Sequence, residues 1–146
     1  MIRIIQISKA NGVLLEPRWL TRAETVHRQL RPQLSNDYAA QMQRIFTAGA
    51  SMAIAVDGDH VLGVALWRTM LNTFSGQVMY VDDLVTDVGQ RSKGVGHTML
   101  NWLEERARQL GCVALTLDSG TQRQRAHAFY FREGMHIASF RFSKTL

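Results

Sequence analysis

The stretch Val81-Asp-Asp-Leu-Val-Thr-Asp-Val-Gly89-Gln-Arg91-Ser-Lys-Gly94-Val-Gly96 decides how the rest of the chain is read. It starts as an apolar strand, crosses a short polar loop with three glycines, and enters an amphipathic segment. That segment runs from about Gly94 to Leu110, with Val95, Met99, Trp102, Leu103, Ala107 and Leu110 at helical spacing and Gly111 as its stop. The start of a helix leaves several backbone N–H groups unpaired and carries a partial positive charge. Gly94 and Gly96 clear side chains from an approaching anion, and Arg91 and Lys93 add charge. Residues 91–96 are therefore expected to hold a pyrophosphate. A Walker-type loop is excluded, since Gly94 is followed by Val95 and Gly96 rather than Lys and Ser or Thr. A dinucleotide fingerprint is excluded because Met99 stands where the third glycine belongs. Spacing alone leaves one other reading open, in which the glycines only shape a tight strand-to-helix turn.

Working outward, the segments before the loop read as strands and helices in turn. Ile2, Ile4, Ile5 and Ile7 make a first strand within residues 1–8. Thr21 and Glu24 form a capping box, with Ala23, Val26 and Leu30 following and Pro32 ending the helix. A second helix is expected over Ser35 to Ala48, with Tyr38, Met42, Ile45 and Phe46 on one stripe and Gly49 beyond its end. Met52 to Val56 and Val61 to Trp67 are strand-like around the hairpin signal Asp57-Gly58-Asp59. Asn72 to Gly76 is a second turn, leading into the strand Val78 to Thr86. Beyond the long helix come a strand at Val113 to Leu117, a helix at about Gln122 to Glu133 closed by Gly134, and a last strand at Met135 to Phe142. The order β-α-α-β-β-β-α-β-α-β predicts an α+β domain: a mixed, largely antiparallel central sheet with helices on both faces. No repeat or linker interrupts residues 1–146, so one domain is the simplest division.

Composition narrows the function classes. The chain has 146 residues, 46% of them apolar, enough for a sizeable core and too apolar for disorder. No apolar run approaches 20 residues, so no membrane span is expected. The apolar start is too short for a signal peptide, and no small-residue cleavage site follows it. The lone cysteine, Cys112, excludes an intrachain disulfide, fits a reducing cytoplasm, and reads as a small buried hydrophobe opening an apolar strand. The five histidines show no paired ligand spacing, so no metal is expected. The net charge of +5 comes from bases scattered through the chain, bunched only at Arg123, Arg125 and Arg132. A polyphosphate site accounts for that cluster as well as a nucleic acid does.

At this point the sequence resembles the GNAT superfamily of acyl-CoA-dependent N-acyltransferases. The family loop Arg/Gln-x-x-Gly-x-Gly/Ala is matched by Arg91-Ser-Lys-Gly94-Val-Gly96. The family helix Ala-x-x-Phe-Tyr-x-x-x-Gly is matched by Ala126-His-Ala-Phe129-Tyr130-Phe-Arg-Glu-Gly134. Both occur in the family's order and separation, and the order of elements agrees over nearly the whole chain. The helical N-terminal half carries no diagnostic motif.

The resemblance implies acetyl-CoA as co-substrate, with its pyrophosphate on the amides of Arg91, Ser92, Lys93, Gly94, Val95 and Gly96. It implies a pantetheine arm lying beside Leu84 and Val85, where two parallel strands splay apart. A backbone N–H there would stabilise the oxyanion that forms on the thioester carbonyl. Tyr130 takes the position of the family's tyrosine acid, which protonates the leaving thiolate. A phenol of pKa about 10 can serve a thiolate of about 8.5. Arg123 stands where the family often has asparagine and could reach a phosphate instead. Arg125 and His127 flank the motif.

On the acceptor side, an amine with pKa near 10 must lose a proton before it attacks. Asp82 and Asp83 are the candidate bases, and consecutive strand residues are expected to face opposite sides. Polyamine acetyltransferases of the family resemble this stretch and carry a glutamate at the place of Asp82. That makes Asp82 the base or amine anchor and Asp83 structural. An acidic lining favours a cationic acceptor: a small amine, an aminoglycoside, a lysine side chain or a peptide N-terminus. Tyr38, Trp67 and Phe74 either wall that pocket or belong to the core. Many relatives pair as homodimers, and no residue here decides the point. Two other readings are a non-catalytic coenzyme-binding sensor, which would need neither Tyr130 nor Asp82, and a small nucleic-acid protein, which would need exposed stacking aromatics.

Overall fold

A computed structural model describes residues 1–146, in two compact units, Met1–Thr116 and Leu117–Leu146. The first contains β1 (Arg3–Gln6), α1 (Pro17–Leu30), α2 (Tyr38–Thr47), β2 (Ser51–Asp57), β3 (His60–Asn72), β4 (Gly76–Thr86), a short 3-10 turn at Val88–Gln90, and α3 (Val95–Gln109). β5 (Ala114–Leu117) ends at the boundary, and the second unit holds α4 (Gln124–Arg132). No helix is long and apolar enough to cross a membrane.

The five strands lie in the order β1-β2-β3-β4-β5. The first four pair antiparallel; hairpin turns join β2 to β3 and β3 to β4, while α1 and α2 carry the chain from β1 to β2. Gly58 closes β2 to β3 with φ +57, a conformation that glycine adopts without penalty. The Asn72 carboxamide accepts from the N–H groups of Phe74 and Ser75, which ties the turn from β3 to β4. The crossover through α3 then sets β5 beside β4, with the Val113 N–H on the Gln77 carbonyl. The expected mixed, largely antiparallel sheet is present.

Alternation along the strands builds a core on each face. Met52, Ile54, Val56, Val64 and Leu66 pack with Trp19, Leu20, Ala23 and Val26 of α1 and with Tyr38, Met42 and Phe46 of α2. The other face is made of small residues, Ala53, Ala55, Gly63 and Ala65, and it receives α3 through Val95, Met99, Leu103 and Ala107, all buried. A Cβ at Gly63 would lie 2.6 Å from Met99 Sδ and 2.9 Å from the Val85 carbonyl, so glycine there sets how closely helix and sheet approach. Trp67 meets Trp102 edge-on at 5.4 Å.

Several sequence expectations are corrected. The capping box at Thr21 is not used: α1 starts a turn earlier, with Pro17 in its first turn, where its fixed φ suits the helix and its missing N–H costs nothing. Thr21 lies inside that helix. The second helix starts at Tyr38 rather than Ser35, because Asp37 caps it through a bond from the Ala40 N–H of 3.1 Å. Cys112 is half-buried in the turn after α3 instead of opening the strand. The strand expected over Met135 to Phe142 does not form, and residues 135–146 are irregular.

Candidate active site

Three parts of the first unit converge on the end of β4. The first is the strand itself. Register runs Leu66 opposite Asp83 and then Trp67 opposite Val81, so Asp82 is an extra residue, a β-bulge. The bulge breaks the alternation expected for the two acids. Asp83 stands opposite Leu66, on the face covered by α1. Asp82 pairs with Arg68, which shares that face with Leu66. The expectation that the acids face opposite sides therefore fails, because an unpaired residue shifts the parity of the strand by one.

The two carboxylates have different surroundings. Asp83 is buried; it accepts from His27 Nε2 at 2.7 Å and from Arg31 Nε at 2.8 Å, both on or just after α1. Burial by itself would raise its pKa, but the hydrogen bonds and charge from His27 and Arg31 outweigh that and hold the carboxyl below its usual value. His27 Nδ1 meets the Tyr38 hydroxyl at 2.8 Å, and burial pushes that phenol well above its ordinary range. Asp83 is thus the structural acid expected, in a closed network that joins α1, α2 and β4. Asp82 is only half-buried. Arg68 Nε lies 3.1 Å from each of its oxygens, and Arg31 Nη2 holds its main-chain carbonyl at 3.2 Å. Each acid has its own arginine, so the expected acidic lining is locally balanced. Tyr38 and Trp67 belong to the core, and Phe74, 98% exposed at a turn, walls nothing.

The second part is the outer edge of β4. β5 has four residues and begins beside Gln77, whereas β4 has eleven. It runs out before the end of β4, where Leu84 and Val85 pair on their other side with Ala65 and Val64 of β3. Their outer backbone edge is left without a neighbouring strand.

The third part is the loop at 91–96. Gln29 of α1 anchors its approach: the carboxamide donates to Asp87 Oδ1 at 2.7 Å and accepts from the Val88 N–H at 2.9 Å. Arg91 and Ser92 are exposed, and Ser92 adopts φ +63. Lys93 Nζ folds back on the Gly89 carbonyl at 3.3 Å. Gly94 caps α3 with φ +84, without a side-chain cap bond, and a Cβ there would meet open space. The first intrahelical bond is donated by Thr98 to Gly94. The N–H groups of Val95 and Gly96 are thus left for an outside acceptor, with no acid in the first turn to oppose an anion. Val95 is buried, and its side chain and the Val85 carbonyl both approach Gly63, which brings the start of α3 close to the end of β4. These features fit a pyrophosphate with an arm running along β4.

Tyr130 and Arg123 lie in the second unit. Arg123 is the residue before α4, and Tyr130 sits in its last turns beside Phe129, ring centroids 5.5 Å apart. Burial pushes the Tyr130 phenol up, and the nearby Arg123 charge partly opposes this. The group is therefore a protonated phenol at neutral pH. His127 is tied to the Gly120 carbonyl at 2.8 Å, a local role.

The sequence reading missed His27, Arg31, Arg68 and Gln29. None lies in a motif; only the burial of His27, at helical spacing from Ala23, was hinted at by the apolar stripe of α1.

Known proteins share this layout. The profile of the acetyltransferase (GNAT) family matches residues 17–135. An aminoalkylphosphonate N-acetyltransferase of Salmonella typhimurium is 39% identical over 66 residues, 45% of this chain and 43% of that protein. An uncharacterized N-acetyltransferase of Bacillus subtilis is 40% identical over 70 residues, 47% of this chain and 49% of that protein. The chain thus spans about half the length of the curated relatives it matches, or less. An aminoglycoside N-acetyltransferase in complex with CoA superposes with a TM-score of 0.83 at 14% identity, over 100% of this chain and 95% of that one. At that identity the likeness concerns the fold.

Proposed function

Because the chain belongs to the acetyltransferase (GNAT) family, we propose that it transfers an acetyl group from acetyl-CoA to a primary amine by direct attack within a ternary complex. The observation that carries this reading is the uncapped start of α3, with the N–H groups of Val95 and Gly96 unpaired behind Gly94. Arg91, Ser92 and Lys93 complete the phosphate cradle. The open edge of β4 at Leu84 and Val85 receives the pantetheine arm and offers an N–H to the carbonyl oxygen, where negative charge develops. Arg123 adds a phosphate contact.

Asp82 anchors the amine and takes its proton. Arg68 presents only Nε to the carboxylate, which leaves lone pairs for an ammonium group. The amine nitrogen then bonds to the acetyl carbon, the carbon–sulfur bond breaks, and Tyr130 gives its proton to the departing thiolate.

The acceptor is a small amine or a peptide or protein amine. Since Asp82 and Asp83 are each balanced by an arginine, the site does not select for polycations by charge. Amines that carry an anionic group, as the aminoalkylphosphonates named for the Salmonella relative do, belong in the first screen beside aminoglycosides. Calorimetric titration with acetyl-CoA, with AMP as control, tests the reading. Saturable one-site binding, much tighter than AMP, followed by amine-dependent thiol release, is the expected result. Binding without thiol release for any amine makes the chain a coenzyme sensor, and no binding at millimolar ligand removes the loop assignment.

A further inference from the structure

A cavity of about 180 Å³ lies between the C-terminal end of α3 and the ends of β1, β2 and β3. Arg106, in its wall, is eleven residues along α3 from Val95, roughly 16 Å from the coenzyme loop at 1.5 Å per residue. The site is therefore separate from the one described above.

Its lining is cationic and under-bonded. Lys9 and Arg106 both border it, with Gln6, Ser51 and Thr69 as polar neighbours and Trp67 among the apolar ones, and no acid is present. Arg106 gives one Nη hydrogen to Gln109 at 3.2 Å, but its Nε is buried without any acceptor. Ser51, 6% exposed, lines the same cavity. Lys9 makes no ion pair. A buried donor without a partner, such as this Nε, is rare in folded chains and marks a place where something else completes the bonding. The negative end of the α3 dipole does not forbid an anion here. The carbonyls of Arg106, Ala107 and Arg108 accept from the N–H groups of Leu110, Cys112 and Gly111, and that of Leu110 from the Gln77 carboxamide.

We propose that this cavity binds a small oxyanion, a phosphate or carboxylate group held by the Arg106 guanidinium and the Lys9 ammonium, with the Ser51 hydroxyl as a further donor. A guanidinium offers neighbouring N–H groups to two oxygens of such an anion, and the low-dielectric wall strengthens each bond. The proposal stands independently of acetyl transfer.

Calorimetric titration of the full chain with sodium phosphate, and separately with sodium acetate, at constant ionic strength, tests it. One saturable site is expected for at least one of the two anions, and the stronger one identifies the group. Arg106→Gln should weaken that binding at least tenfold, and Arg91→Gln, in the coenzyme loop, should leave it unchanged. Should Arg106→Gln not fold, Lys9→Gln, a change at an exposed side chain, carries the test with an expected loss of threefold or more. Absence of saturable binding, binding retained in the cavity variants, or loss only in Arg91→Gln would each overturn the proposal.

Discussion

His27 Nε2 and Asp83 Oδ2 lie 2.7 Å apart in the buried layer between α1 and β4. A carboxylate only accepts, so Nε2 donates, and Nδ1 hydrogen-bonds with the Tyr38 hydroxyl. This contact, with Arg31 on the other carboxylate oxygen, ties the helical half of the chain to the strand that carries Asp82.

Loss of His27 should therefore be costly. In His27→Ala, Asp83 loses one of two partners and the Tyr38 hydroxyl is left buried and unpaired. The expected destabilisation is about 3 kcal/mol, a fall of roughly 10 °C in Tm. Urea unfolding would measure it; a change under 1 kcal/mol would show that the network is slack.

Acid should act through the same site. The Asp83 carboxyl is held below its usual value in the folded chain, so the unfolded chain binds this proton first as pH falls. Its contribution is complete above the unfolded pKa of about 4 and is lost as pH drops through the lower, folded value. Asp83→Asn should flatten the slope of stability against pH below about 4. An unchanged slope in the variant would assign the acid sensitivity elsewhere.

Tyr130→Phe should lower turnover by about a hundredfold or more, the usual contribution of a positioned acid, and leave acetyl-CoA affinity nearly intact. Because burial raises the phenol, wild-type activity should lose no Tyr130 proton until pH exceeds about 10. Thiol-release rates across pH provide the check, and equal turnover of the two proteins would remove Tyr130 from the reaction.

Gly94→Glu should abolish coenzyme binding. The substitution puts a carboxylate beside the free N–H groups and forces a side chain onto φ +84. Retained calorimetric affinity would refute the phosphate site.

Gly63→Ala should destabilise the chain by about 2 kcal/mol, since the new methyl group must displace Met99 or the Val85 carbonyl. Affinity for acetyl-CoA should fall with it, because Val85 lines the proposed pantetheine path. A stable variant with unchanged affinity would show that α3 can shift without consequence.

Local pattern determined much of this protein. The loop glycines, the hairpin at Gly58, the stripes of α1 and α3 and the stop at Gly134 depend on neighbours a few residues apart, so they are legible in order along the chain. The two matched motifs singled out the candidate phosphate loop and Tyr130 for the same reason. What tertiary structure decided is pairing across long separations. Whether Asp82 and Asp83 share a face depended on how β4 aligns with β3, a register that no single strand encodes. Which acid is buried depended on His27 and Arg31, more than fifty residues away. The strand expected after Gly134 does not form for a related reason: an apolar pattern proposes a strand, but only pairing with a neighbouring edge makes one.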